Sequence, residues 1–189
     1  MAKAKKEISD LEMAIQLMPI EKKNKLLARL VKKDDILGQQ VIFENLGDDT
    51  DRKKMEEGVR SSIEKYLTSK YVYETPGEIM MEMRGYNARI TEYVKITKDK
   101  AGEIDLTLTL LTKTLKEFES TLRNESKKAT TFAPYFVRRL DFVLKKIEKM
   151  HEDYHMEYRE RVNLLLHFVH TYIPTKLYVK DYKIPKKFD

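Results

Sequence analysis

A run of heptad-spaced apolar residues constrains the fold of this chain more than any other feature of its sequence. The run extends from residue 83 to residue 122 in alternating steps of four and three, and nine of its twelve positions carry large apolar side chains. The positions are Met83, Asn87, Ile90, Val94, Thr97, Ala101, Ile104, Leu108, Leu111, Leu115, Phe118 and Leu122. Heptads sustained over this length predict one long helix packed along a seam.

The start of this helix has a signal of its own. Thr75 is a residue type that caps helices, Pro76 suits a first helical turn, and Glu78 stands three residues after Thr75, as in a capping box. The sequence therefore predicts that the helix begins at residue 76.

Residues 104–111, which read IDLTLTLL, allow a second interpretation. Apolar and polar residues alternate there, threonine favours strands, and Gly102 would suit a preceding turn. We favour the helix because the heptad spacing continues on both sides of the segment. A break near Ala101 and Gly102 stays open.

A second heptad run follows the polar stretch 123–134. It continues to Tyr154 and then resumes in a shifted phase up to Tyr172, a stutter that locally unwinds helix packing. The sequence therefore predicts a long antiparallel hairpin of two helices, about 76–123 and 134–173. At 1.5 Å per residue these helices would be roughly 70 and 60 Å long.

The composition supports an all-α fold. Charged residues make up 36% of the chain, with only 6 Gly and 5 Pro among 189 residues, which is typical of helical proteins. We predict an elongated helical bundle with shorter N-terminal helices within residues 7–71. Residues 1–173 would form a single helical domain, and residues 174–189 an extended C-terminal arm.

The predicted arm, PTKLYVKDYKIPKKFD, differs from the rest of the chain. Lysines and tyrosines alternate with other residues between Pro174 and Pro185, and the segment is basic. Such a segment has too little apolar surface to order itself, so we expect it to bind a neighbouring subunit. The predicted partner-binding residues are Lys176, Leu177, Tyr178, Val179, Lys180, Tyr182, Lys183, Lys186 and Lys187.

Excess positive charge lies at the two ends of the chain. Residues 1–33 hold nine Lys and Arg against four acidic residues, and residues 174–189 hold five Lys against two Asp. Basic ends with tyrosines can bind the phosphates and bases of nucleic acid, although solvated lysine is an equally good interpretation.

The segment HEDYH, residues 151–155, matches the H-E-x-x-H pattern of zinc proteases. A third ligand is missing at the expected spacing, since Tyr158 and Arg161 stand where the longer pattern has Gly and His. A metal site through His151 and His155 is therefore a remote alternative. We predict no catalytic residue, no cofactor and no metal ligand.

These observations favour a non-enzymatic structural protein. The chain has no Cys, phosphate-binding loop or nucleophile elbow. We expect a subunit that assembles with copies of itself or with other subunits, a plan shared by ring and connector subunits of viral particles. The alternative is a nucleic-acid-binding accessory protein. We expect no membrane partner, no secretion, and a location in the cytoplasm or in a particle assembled inside the cell.

Overall fold

The computed structural model describes residues 2–67, 73, 75–124 and 131–189, and within these ranges every regular element is a helix. The helices are α1 (Ala2–Leu17), α2 (Ile20–Val31), α3 (Asp35–Leu46), α4 (Asp49–Leu67), α5 (Pro76–Thr97), α6 (Lys100–Asn124), α7 (Phe132–Ile147), α8 (His155–Thr171) and α9 (Lys176–Asp181). Short 3-10 turns lie just before α8 and α9. The predicted all-α class is confirmed. None of the helices described has an apolar stretch long enough to cross a membrane.

The chain divides into two compact units, Met1–Leu46 and Gly47–Asp189. The first unit contains α1–α3 and the second contains α4–α9. This division differs from the predicted single domain over residues 1–173. The predicted helix end near Tyr71 and the predicted turn across residues 125–130 lie outside the described residues.

Helix α6 is the centre of the second unit, where it packs against α4, α5, α7 and α8. Both the leucines and the threonines of its strand-like segment are buried, including Leu106, Thr107, Leu108 and Thr109. Because several helices cover α6, the residues between its heptad positions are buried as well, and the threonines of this segment are among them. The preference for a helix over a strand at residues 104–111 is confirmed.

The predicted capping box at the start of α5 is confirmed. The Glu78 backbone N–H donates to Thr75 Oγ1 at 3.4 Å, and the Thr75 backbone N–H donates to the Glu78 carboxylate at 3.1 Å. Pro76 occupies the first turn, where its missing N–H costs no hydrogen bond.

The predicted continuous helix over residues 76–123 is wrong. The chain leaves α5 at Lys98, which adopts a left-handed conformation with φ of 58°, and α6 then runs back along α5. Tyr86 of α5 and Phe118 of α6 both pack against the ring of Tyr66, at centroid distances of 4.9 and 5.7 Å. The break lies a few residues before the one that the sequence left open near Ala101 and Gly102.

The predicted continuous helix over residues 134–173 is also wrong. Helix α7 ends at Ile147 and α8 begins at His155, and the Phe136 and Phe168 rings meet at 5.5 Å because the two helices are antiparallel. One elongated hairpin is thus replaced by two folded-back hairpins. The physical reason is burial, since two antiparallel helices that pack against each other cover apolar side chains that one straight helix would leave exposed.

The extended conformation predicted for residues 174–189 is wrong as well. Thr175 is fully buried, and its hydroxyl hydrogen-bonds the Val169 carbonyl at 2.5 Å before α9 begins. Val179 and Ile184 are buried against the core of the second unit. The apolar residues that stand between the lysines therefore find their partners within this chain.

Candidate protein-interaction site

The two histidines of HEDYH do not share one helix. His151 has an extended backbone, and its Nδ1 accepts a hydrogen bond from the Asp153 backbone N–H at 3.4 Å. His155 begins α8, donates from Nε2 to the Ile147 carbonyl at 2.9 Å, and packs its ring near Phe188. The i, i+4 geometry of a zinc protease is therefore not formed. Within the described ranges, no group of three or more His, Cys, Asp or Glu side chains is placed to hold a metal ion.

The predicted partner-binding arm is divided between buried and exposed residues. Val179 is buried, and Tyr178 and Tyr182 pack against the core. The Tyr182 hydroxyl accepts a hydrogen bond from Arg138 Nε at 3.3 Å. The residues of the arm that stay exposed are Lys176, Leu177, Lys180, Lys183, Lys186 and Lys187. The structure therefore leaves a basic surface at this end of the chain and not a free arm.

Two aspartates of the second unit form ion pairs with arginines of α4 and α8. Asp99 accepts hydrogen bonds from Arg52 at 2.8 Å, from the Tyr93 hydroxyl at 2.6 Å and from the Gly102 backbone N–H at 2.9 Å. Asp105 of α6, six residues after Asp99, is bound by Arg60 at 2.7 Å and, from α8, by Arg161 at 2.6 Å.

The protonation of these aspartates identifies them as structural groups. Burial acts to raise the pKa of Asp99, but its hydrogen bonds from Gly102, Tyr93 and Arg52 outweigh that effect and the pKa is lowered overall. The pKa of Asp105 is lowered in the same way, against burial, by Arg60 and Arg161. Both carboxylates are therefore charged at neutral pH and fully engaged, so they are poorly suited to proton transfer.

The apolar residues of α1–α3 provide a different kind of site. No residue of α2 or α3 is buried, and large apolar side chains of all three helices are exposed to solvent. These exposed side chains are Leu11, Met13, Ile15, Leu17, Ile20, Leu27, Leu30, Leu37, Ile42 and Leu46. Protein–protein interaction sites are marked by exposed apolar side chains that form a patch, and these ten are the candidate contact residues of this unit.

Helix α2 largely separates its apolar and charged residues. Ile20, Leu27 and Leu30 lie on one side of the helix, while Lys22, Lys25 and Arg29 lie on the other and are exposed; Lys23 is the charged residue on the apolar side, where it donates to the Gln16 carbonyl. The sequence predicted short helices in this part of the chain, and Pro19 and the turn at residues 32–34 separate them in the structure. No local pattern showed that their apolar side chains stay exposed.

Comparison of the chain with protein-family models, with curated protein sequences and with solved structures found no match in any of the three. The geometry of the chain itself therefore carries the functional argument.

Proposed function

We propose that this protein is a non-enzymatic structural subunit of a larger homo- or hetero-oligomeric assembly. In this proposal α1–α3 make the contacts with a neighbouring copy of the chain. The observation that carries the proposal is the exposure of ten large apolar side chains within residues 11–46. The predicted contact residues in the C-terminal segment become secondary, because that segment is docked on its own chain.

The length of the N-terminal helices supports the need for a partner. Helices α2 and α3 have 12 residues each and bury no side chain. Helices of about 12 residues are marginal in water on their own, and most helix stability in proteins comes from packing an apolar face. A neighbouring copy would supply the missing apolar surface and stabilise the helices that bind it.

The charges of the first unit support a second copy as that partner. Helix α2 is basic, with Lys22, Lys25 and Arg29 on its charged side. Helix α3 is acidic, because it contains Asp35 and Glu44 but no Lys or Arg. Two copies related by a twofold axis can place α2 of one against α3 of the other, so that opposite charges flank the apolar contact.

The resemblance of plan to viral ring and connector subunits rested on one long hairpin, and the folded-back helices remove that basis. The assembly proposal does not include a virion. Nucleic-acid binding by the basic C-terminal residues stays a second proposal, supported by the exposure of Lys176, Lys180 and Lys186.

Size-exclusion chromatography with light scattering tests the assembly proposal on the full chain. We expect a mass above the 22.4 kDa of one copy that rises with concentration. The variant Leu27→Ser/Leu30→Ser/Ile42→Ser should shift the mass towards one copy, because it removes apolar contact area. A single-copy mass of the unsubstituted protein at every concentration would contradict self-assembly.

The matched control changes three exposed apolar residues of the second unit, as Leu164→Ser/Ile173→Ser/Leu177→Ser. These side chains are 52%, 73% and 73% exposed, compared with 55%, 49% and 60% for Leu27, Leu30 and Ile42, so the control set is the more exposed on average. The control should assemble as the unsubstituted protein does. Equal loss of assembly in both variants would show that general surface apolarity, and not α1–α3, controls the mass.

A further inference from the structure

The outer side of α7 combines cations and aromatic rings in one row. The inner side of this helix is buried, with Phe136, Leu140 and Val143 fully covered. Opposite them, at helical spacings of three and four, lie Tyr135, Arg138, Arg139, Phe142, Lys145 and Lys146. Asp141 lies beside this row and is largely buried.

Contacts with the rings hold several of these cations in place. The Arg139 guanidinium lies 5.8 Å from the Tyr135 ring centre and 5.5 Å from the Phe142 ring centre. Arg84 of α5 reaches the same Tyr135 ring at 5.6 Å, and Lys146 lies over Phe142 at 4.7 Å. A cation held against a ring loses less conformational entropy when it binds an anion, so the row is preorganised.

Positive charge on this side exceeds negative charge. With Arg84 and Lys149 the surface has six cations, and two carboxylates meet it, as Asp141 pairs with Lys145 and Glu103 with Lys146. Among the described residues, no carboxylate forms an ion pair with Arg84, Arg138, Arg139 or Lys149. Four positive charges are thus left over on a surface whose helical part, from Tyr135 to Lys146, spans about 16 Å.

We propose that this surface, formed by the outer side of α7 with Arg84 and Lys149, binds the phosphodiester backbone of nucleic acid without sequence preference. Repeated phosphates match an array of cations that successive helical turns repeat every few ångströms, and arginine binds phosphate oxygens in pairs. The proposal is independent of the assembly function, because its residues lie outside α1–α3.

The aromatic rings indicate how the nucleic acid is read. Cations lie against the rings of Tyr135 and Phe142, so less ring surface is left to stack on bases. Recognition is therefore confined to the backbone, which is the same for every sequence. An acidic protein is a less suitable partner, since the centre of a protein interface needs exposed apolar area and the cations cover it here.

Fluorescence anisotropy with short labelled oligonucleotides tests this proposal on the full chain. Single-stranded and duplex probes of two unrelated sequences should bind alike within each form, and affinity should fall steeply between about 50 and 200 mM salt. The variant Arg84→Gln/Arg138→Gln/Lys149→Gln, which removes three exposed cations that form no ion pair with a described residue, should bind at least tenfold more weakly. Its salt dependence should lose a slope of about 0.9 per lost phosphate contact on duplex, or about 0.7 on single strands.

Two matched variants remove the same charge elsewhere. Lys176→Gln/Lys180→Gln/Lys186→Gln alters the C-terminal segment, and Lys22→Gln/Lys25→Gln/Arg29→Gln alters α2. The α2 variant should keep the affinity of the unsubstituted protein. The C-terminal variant should keep it too if α7 is the site, and this separates α7 from the C-terminal lysines of the second proposal above. Equal weakening by all three variants would overturn the proposal in favour of net charge, and strong weakening by the C-terminal variant alone would place the site there instead.

Three further outcomes decide the assignment. Failure of the unsubstituted protein to bind at low salt would overturn it, and so would competition by polyglutamate as strong as that by unlabelled nucleic acid. Circular dichroism checks that the α7 variant folds. If it does not, Arg138→Lys and Arg138→Gln replace it, and the proposal requires that the lysine variant binds more tightly than the glutamine variant.

Discussion

The two units of this chain treat similar apolar residues in opposite ways. In the second unit the leucines and aromatic rings of five long helices meet in one core, where Phe136, Leu140 and Val162 have no exposed area. In the first unit Leu27 and Leu30 repeat at the same helical spacing, yet 55% and 49% of their area is exposed. The difference lies in the number of helical layers available to cover them.

This contrast shows that an amphipathic pattern predicts which side of a helix is apolar, but not whether the same chain buries that side. Where several helices follow each other through tight reversals, as at Lys98, the chain covers its own apolar side. In the two helices of 12 residues, α2 and α3, no side chain is buried by the rest of the described chain.

The largest test of the contrast compares one buried and one exposed apolar residue. Phe136→Ala should lower the free energy of unfolding by about 3–5 kcal/mol, because it leaves a cavity between the Phe132 and Phe168 rings. Leu27→Ala should change it by less than about 0.5 kcal/mol. Urea denaturation, followed by circular dichroism at a concentration where one copy predominates, measures both. Similar losses would mean that the first unit has a core of its own.

A smaller effect is expected at the reversal that lets the second unit cover itself. A side chain at Gly102 would overlap the Asp99 carboxylate and lie within 2.9 Å of the Tyr93 hydroxyl. Gly102→Ala should therefore lower the free energy of unfolding by about 1–3 kcal/mol. Gly85→Ala is the control, since Gly85 has open space around it, and it should raise stability by about 0.5–1 kcal/mol. Equal effects of the two substitutions would show that the hydrogen bond from the Gly102 backbone N–H to Asp99 does not stabilise the turn between α5 and α6.

The smallest effect concerns the charge of Asp99 itself. Because the pKa of Asp99 in the folded state is below its ordinary value of 3.8, ionisation stabilises the fold above that pH, and this stabilisation is lost as the pH falls further. Asp99→Asn should cost about 1 kcal/mol at pH 7, and the difference from the unsubstituted protein should shrink below pH 4. Thermal unfolding of both proteins as a function of pH measures this, and a constant difference would contradict a role for the charge.

The sequence predicted the helices well and their arrangement poorly. The capping box of Thr75 and the heptads were local signals, which survive in the fold because helix formation and helix ends depend on nearby residues. The reversal at Lys98 contains neither Gly nor Pro, so the residue types there did not predict a turn. The stutter after Tyr154 did mark a break, but Tyr154 itself lies in the 3-10 turn and is half exposed.

The partner-binding residues predicted at 174–189 stay a prediction, but the structure covers some of them with their own chain. A contact surface with basic residues was expected at residues 174–189, where apolar side chains turned out to be covered by α7 and α8. Val179 is buried by residues that are distant from it in the sequence, and a local sequence pattern carries no information about such contacts. For the same reason the cation-bearing side of α7 was not recognised, since Arg84 reaches it from another helix.

The segment after α9 is ordered by side-chain chemistry and not by a regular element. Asn163 of α8 accepts a hydrogen bond from the Phe188 backbone N–H at 2.9 Å and donates one to the Phe188 carbonyl at 2.8 Å. The asparagine carboxamide thus takes the place of a peptide group from a neighbouring strand. One side chain thus makes the pair of hydrogen bonds that a neighbouring strand would make. We therefore expect the hydrogen-exchange rate of the Phe188 amide to match the rates of the α8 amides.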